Sequence, residues 1–451
     1  MNNLSENSLS GIITDVVNEQ IVHKNVWLQP IRAAASQRLK SLALPTQQTE
    51  DWKYLKLEQL LASDPMDTQS TNELDFKSVN NINDVHAINN VLSQSLISDF
   101  DAYRLVFVNG MFVSGLSQHH NNPYSTLFSE ANASQQQLIV NHLDTSHNYY
   151  NDYFSSLNSE QLNDGLLIHI PEHCVVDKPF YLVNITIGEL PKTSMMRVLI
   201  IAETGSKATL IEHEDAPLKH TGMVNTVIEC FINDNAHFIH SRIQLDESVT
   251  SLCNHRVKQG RDSIYQQHQI SLASKLKRND LTVSLQGKYA TTDIRGSFYG
   301  RHQQTIDNHT CMEHIAPNCT SNEIFRGLVD NEANAVFNGR IHIHPGAQKT
   351  LAELSNKNLL LSDLATINTK PELEIYADDV KCSHGATVGQ IDSEALFYLQ
   401  SRGISRVEAK RLLSQAFIAE VVEQLTENCV REFVTHRLSR LFSALQYQGE
   451  K

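Results

Sequence analysis

Apolar positions along the chain fall into three textures. From Gly11 to about Leu61 they recur every three or four residues, as Val16, Val17, Ile21 and Val22 and then Ile31, Ala34, Ala35, Leu39 and Leu42, which is the spacing of amphipathic helix. Pro45 breaks that run, because proline lacks the backbone donor a helix needs. The polar stretch from Asp64 to Asn83 reads as an irregular connection, and Tyr103 to Val113 reads as extended. Between about Gly165 and Val380 the period changes to two. Short alternating or β-branched runs stand between Asn, Asp, Gly and Pro: Leu166–Ile170, Tyr181–Ile187, Arg197–Ala202, Thr209–His213, Asn225–Ile232, His237–Leu245 and Ile264–Leu272.

About 200 residues of short strands, with no helix and no linker between two halves, are too many for one sandwich. They predict a single β-solenoid, although no strict repeat motif marks its turns. From Asp392 the helical period returns. Ser405, three residues before Glu408, forms a capping box ahead of a stripe of Leu412, Leu413, Ala416, Phe417, Val421 and Leu425. A second stripe runs through Val430, Phe433, Val434, Leu438, Leu441, Phe442 and Leu445. Gly403, just past a short helix over Ala395–Ser401, suits a left-handed C-cap. The expected fold class is mainly β, a β-solenoid core at 164–388 between an N-terminal helical and mixed domain at 1–163 and a C-terminal helical domain at 389–451.

Composition narrows the function. The 451 residues carry a formal charge of -14 without a Lys/Arg run, which disfavours nucleic acid and anionic membranes as partners. An aromatic share of 7% argues against a base- or sugar-stacking surface. The first basic residue is Lys24 and the longest apolar runs, such as Val198–Ala202, fall far short of the roughly 18 residues of a bilayer span, so a cytoplasmic protein is expected. Seven scattered cysteines fit reduced thiols better than a disulfide framework.

Motifs exclude several enzyme classes. There is no phosphate-binding loop, the nearest fragment being Gln286-Gly287-Lys288-Tyr289, so no ATP site is expected. Zincin, α/β-hydrolase, Rossmann and paired-CxxC signatures are likewise missing. His309, Cys311, His314 and Cys319 are metal-ligand types at close spacing, but the spacing fits no closed zinc site, and buried cysteines with turn histidines are the simpler reading. His342 and His344 alternate with Ile341 and Ile343 and predict a pair on a solenoid flank. Cys382-Ser383-His384 places a thiol and an imidazole on one strand face. These are two ligands suited to iron or a cluster edge, with the others supplied by another chain; a buried Cys beside a solvent-facing His is the equal alternative from the residues alone.

The same residues carry a family resemblance. The stretch from Lys370 to Gln390, which contains Tyr376-Ala377-Asp378-Asp379-Val380-Lys381-Cys382-Ser383-His384-Gly385-Ala386-Thr387, resembles the signature of the SufB/SufD family of iron–sulfur cluster assembly scaffolds. The likeness continues through Ala395-Leu396-Phe397-Tyr398-Leu399-Gln400-Ser401-Arg402-Gly403-Ile404, Ala335-Val336-Phe337-Asn338-Gly339-Arg340, Asn358-Leu359-Leu360-Leu361 and Thr49-Glu50-Asp51-Trp52-Lys53-Tyr54. Gly385 stands where SufB has Glu after the shared His, and Ile375 falls in the segment where SufB carries a Cys, so the resemblance is to the SufD branch.

That resemblance implies a right-handed parallel β-helix with helical ends, pairing with SufB through the solenoid edges, and a SufC ATPase docked on the C-terminal helices. Leu412, Phe417, Val421 and Leu425 are the residues expected to face SufC. It also implies that Cys382 and His384 lie near the SufB interface as candidate ligands of iron or a transient cluster, His384 being the better ligand, since the sulfur-accepting thiol belongs to SufB. The ATPase activity would be SufC's and this chain non-catalytic. ATP-driven SufC motion would pass through helices 405–425 and 428–445 and open the interface. A reduced flavin on the complex and a homodimer of the isolated chain are further implications. The alternatives are a SufB-like sulfur acceptor, a β-helix enzyme acting on polysaccharides, and a purely architectural protein without a ligand.

Overall fold

A computed structural model describes residues 25–55, 57, 95–117, 122–145, 152–186, 193–216 and 223–443. The predicted helix start at Val16–Val22, the polar stretch 64–83 and Leu445 lie outside them. Within them the strands run in chain order as β1 (Tyr103–Val108), β2 (Met111–Phe112), β3 (Ser125–Leu127), β4 (Leu166–Ile170), β5 (Phe180–Ile185), β6 (Thr193–Ala202), β7 (Lys207–Asp215), β8 (Met223–Ile232), β9 (His237–Gln244) and β10 (Thr250–Gln259). They continue as β11 (Ile264–Leu272), β12 (Leu276–Leu285), β13 (Thr291–Gly300), β14 (Thr305–His314), β15 (Thr320–Val329), β16 (Asn334–Ile343), β17 (Leu351–Leu360), β18 (Thr366–Ile375) and β19 (Lys381–Gly389).

From β4 onward even-numbered strands form one parallel sheet and odd-numbered strands another; this is the β-solenoid expected from the strand texture, built of two sheets. Each turn advances 26 to 32 residues, setting Thr250 opposite Leu276 and Asn334 opposite Thr366. Alternate side chains point into the lumen, where Leu182, Ile200, Phe238, Ile294, Phe298, Phe325 and Ile341 belong to one continuous core. A repeat is present in the backbone, though not in the letters. Gly205, Asn235, Asp262, Tyr289, Asn318 and Lys349 all have positive φ, and each stands two residues before an odd-numbered strand from β7 to β17. Gly, Asn and Asp tolerate that left-handed geometry; Tyr289 and Lys349 adopt it against their own preference.

The two outer faces are covered separately. Helices α1 (Gln29–Leu39), α2 (Ala133–His142) and α3 (Tyr153–Glu160) lie at the N-terminal side. Leu28, Ile31, Ile139 and Leu143 pack with Leu167, Leu199 and Ile201 of the even sheet, and Trp52, Phe154 and Leu157 pack with Leu252 and Leu276. Among the described residues of the 11–61 region, helix comprises α1 and the single helical residue Leu57, with 3-10 turns at Val26–Leu28 and Glu50–Trp52. The Tyr103–Val113 stretch folds into β1 and β2 around Asn109-Gly110, both at positive φ, as a tight hairpin requires.

Helices α4 (Ser393–Ser401), α5 (Arg406–Val422) and α6 (Asn428–Ser443) follow β19. Ser405 caps α5 by accepting the Glu408 N–H at 3.2 Å, while the Glu408 carboxylate turns to Arg411, so half of the predicted capping box forms. Gly403 has φ +87°. Ile418, Val421, Val430, Val434, Leu438 and Phe442 cover Ile211, Ile243, Ile270, Tyr299 and Leu328 on the odd sheet. Among the described residues no helix is long and apolar enough to cross a membrane.

Candidate functional site at the open end of the solenoid

Nothing pairs with the far edges of β18 and β19 among the described residues. The last turn therefore exposes side chains that inner turns would bury: Ile375 is 43% and Val388 44% exposed. Cys382 and His384 lie on β19 in register with Ala352 and Leu354, both core residues. They occupy the lumen-facing side of the strand at the point where the lumen opens. Cys382 packs against the core and is half-buried, whereas His384 is exposed. Burial pushes the Cys382 thiol up, with the Ala352 backbone hydrogen bond opposing it. Iron or a partner's positive charge must lower it before it serves as a thiolate ligand. Behind the pair, Asn358 donates to the Thr387 carbonyl at 3.2 Å and Thr369 to Asn356 at 2.8 Å.

Further down, the lumen is polar in a way the alternation does not announce. Glu212, His240, Arg242 and His255 are all buried. Arg242 Nε and His240 Nε2 each stand 3.0 Å from Glu212 Oε2, and His255 Nε2 stands 3.6 Å from Oε1. Burial works to raise the Glu212 carboxyl, but Arg242, His255 and His240 outweigh it and hold it well below the usual range. Two imidazoles and a carboxylate are ligand types, yet the Arg242 guanidinium already occupies the cation's place, so this cluster is an ion-paired core. Its neighbour Glu214 is pushed up to about 7 by burial and by Glu212.

Glu323 is another buried acid, pushed up to about 8 by burial between Ile294 and Leu354 in register. A carboxyl raised in the native state binds its proton more tightly than the unfolded chain does, so stability falls as pH rises from the ordinary carboxylate range toward 8. Glu323→Gln is therefore expected to stabilise the protein by about 2–4 kcal/mol at pH 8.5 and by close to nothing at pH 5. Thermal melts at the two pH values read this, and an equal shift at both would contradict it.

The remaining sequence candidates separate. His309 pairs with Asp307 at 2.9 Å and Cys311 lies 3.4 Å from Arg340, both on the outer face of β14. His314 bonds Ser321 at 2.8 Å and Cys319 donates to the Gly287 carbonyl at 3.2 Å, both on the inner side. The four do not converge. His342 and His344 do lie on a flank, where the structure adds Glu313, 3.3 Å and 3.2 Å from their ring nitrogens. The predicted SufC-facing residues also divide: Val421 and Leu425 are buried against the odd sheet and Phe417 packs beside them, because that apolar stripe seals the sheet's outer face. Only Leu412 stays exposed, together with Phe397 (72%) and Tyr398 (57%) of α4, which the reading of the helical stripe missed.

Comparison with known proteins agrees with this architecture. The family model described as SUF system FeS cluster assembly, SufBD core domain matches residues 185–417, and the SufBD protein N-terminal region model matches residues 13–182. The iron–sulfur cluster assembly protein SufD of Escherichia coli is 31% identical over 414 residues, 90% of this chain and 90% of its own. An iron–sulfur cluster assembly SufBD family protein of Synechocystis is 31% identical over 408 residues, covering 87% and 86%. The chloroplastic protein ABCI7 of Arabidopsis thaliana is 28% identical over 417 residues, covering 90% and 84%. The chain belongs to the SufBD family of iron–sulfur cluster assembly proteins.

Proposed function

We propose that this chain is a non-catalytic, cytoplasmic scaffold subunit that pairs with a SufB-type subunit through the open solenoid end and presents Cys382 and His384 to a nascent cluster. The observation that carries this reading is the last turn, whose outer edge has no pairing strand among the described residues and which brings a soft thiol and an imidazole to that edge. An unpaired edge offers a row of backbone donors and acceptors, and a second solenoid would satisfy them. The iron–sulfur cluster is cargo in this scheme, held partly by each subunit and released when the edges part.

Phe397, Tyr398 and Leu412 are the proposed contact for a SufC-type ATPase, since aromatic residues are enriched at interfaces and Phe397 and Tyr398 stand exposed side by side. Helices α5 and α6 are packed on the odd sheet, so a force applied at α4 and α5 has a rigid route toward β19. The nucleotide would drive the motion only through contacts that differ between its two states.

The edge assignment is tested by Val388→Lys, which sets a charge among apolar contacts at the proposed interface. Co-purification of the chain with SufB- and SufC-type subunits is expected to succeed for the wild type. The SufB-type association should weaken at least about tenfold in the variant, the loss that 1.4 kcal/mol represents. Undiminished pairing by Val388→Lys would place the interface elsewhere. Self-association of the isolated chain through the same edge would also be weakened.

A further inference from the structure

We propose that Glu313, His342 and His344, with Glu374 as a fourth donor, form a binding site for a divalent transition-metal ion, iron(II) or zinc(II), on the outer face of the even sheet. Three adjacent strands supply it in register: Glu313 of β14 stands opposite His342 of β16, which stands opposite Glu374 of β18. His344, two residues along β16, shares the face. Each carboxylate is thus one solenoid turn from the histidines, a spacing that no linear motif would show.

The donors converge. Glu313 Oε1 lies 3.3 Å from His342 Nδ1 and Oε2 lies 3.2 Å from His344 Nε2, and one donor atom from each of the three falls within 4.8 Å of the others. Donors about 2.0–2.1 Å from one ion at tetrahedral angles are about 3.3–3.4 Å apart, so little movement is needed. The two imidazoles are stacked at 4.2 Å and 16°, both turned to the same carboxylate. Glu374 Oε2 is 4.0 Å from His342 Nδ1 on a half-exposed side chain.

Charge and access favour a cation here. Two carboxylates face one guanidinium, Arg340, which stands 3.7 Å from the other oxygen of Glu374. The Glu313 side chain is 4% exposed while both imidazoles reach solvent, which gives a supported floor and an open side for the ion to enter. The lumen cluster around Glu212 differs on both counts, because Arg242 bonds the carboxylate and every member is buried. Two histidines with one or two carboxylates suit iron(II) and zinc(II) better than hard cations such as magnesium or calcium.

The test uses the full chain, free of any histidine-rich tag, stripped with chelator and titrated anaerobically with cobalt(II), then with zinc(II) in competition. One equivalent of cobalt(II) with visible d–d bands, displaced by zinc(II), is expected. His342→Gln with His344→Gln, which keeps polarity and bulk, should abolish the bands and weaken binding at least tenfold. Glu374→Gln, on the edge strand, should weaken it several-fold with the metal-free melting temperature unchanged, and so reads out the site even where the double variant folds poorly. His384→Ala should leave binding intact, which separates this site from the open end. Absence of binding by the wild type, wild-type binding by a folded double variant, or loss of the bands in His384→Ala would each overturn the assignment.

Discussion

Arg242→Ala is expected to destabilise the protein by about 3–5 kcal/mol, because it strands the Glu212 carboxylate in the lumen without its main counter-charge. Arg242 is fully buried and spans the interior, with Nε 3.0 Å from Glu212, Nη1 3.3 Å from Gln269 and Nη2 3.5 Å from Asn279. Its removal leaves those acceptors with one partner fewer where water does not replace it. The double variant Arg242→Met with Glu212→Leu keeps the volume and removes both charges, and should recover most of the loss. Chemical denaturation of the three proteins checks this. A double variant no more stable than Arg242→Ala would mean that shape, and not the buried charge, holds this layer together.

The second large effect is expected at the open end. His384→Ala should abolish cluster formation on the assembled complex while leaving subunit association intact, because His384 is exposed and makes no core contact that the fold needs. Cys382→Ser should act less completely: burial disfavours its thiolate in the free chain, which leaves the imidazole as the ligand available from the start. Cluster loading should release a proton when Cys382 joins, and so should slow as pH falls.

Much of the fold was legible in the sequence. Leu166–Ile170 and Ile264–Leu272 begin and end where period-two alternation places them, and the Ser405 and Gly403 signals mark real helix boundaries. The turn count was hidden because the repeated left-handed position accepts Gly, Asn, Asp, Tyr or Lys, so geometry repeats where letters do not. The polar lumen was hidden for a different reason. In β9 the inward residues are Phe238, His240, Arg242 and Gln244, while outward Ile243 is covered by the C-terminal helices, so part of the alternation reads inside out. The same covering took Val421 and Leu425 out of the partner surface. The Glu313–His342–His344 cluster needed the register of separate turns, whereas Cys382 and His384, two residues apart on one strand, were visible directly.

The most direct test of a scaffold role with an interfacial ligand is anaerobic reconstitution of the complex of this chain with SufB- and SufC-type subunits, wild type beside His384→Ala, followed by visible absorption of the bound cluster. Equal yields of complex and ATPase activity are expected, with cluster absorption present in the wild type and lost in the variant. A variant complex that keeps its cluster would contradict that role and leave the open end as architecture alone.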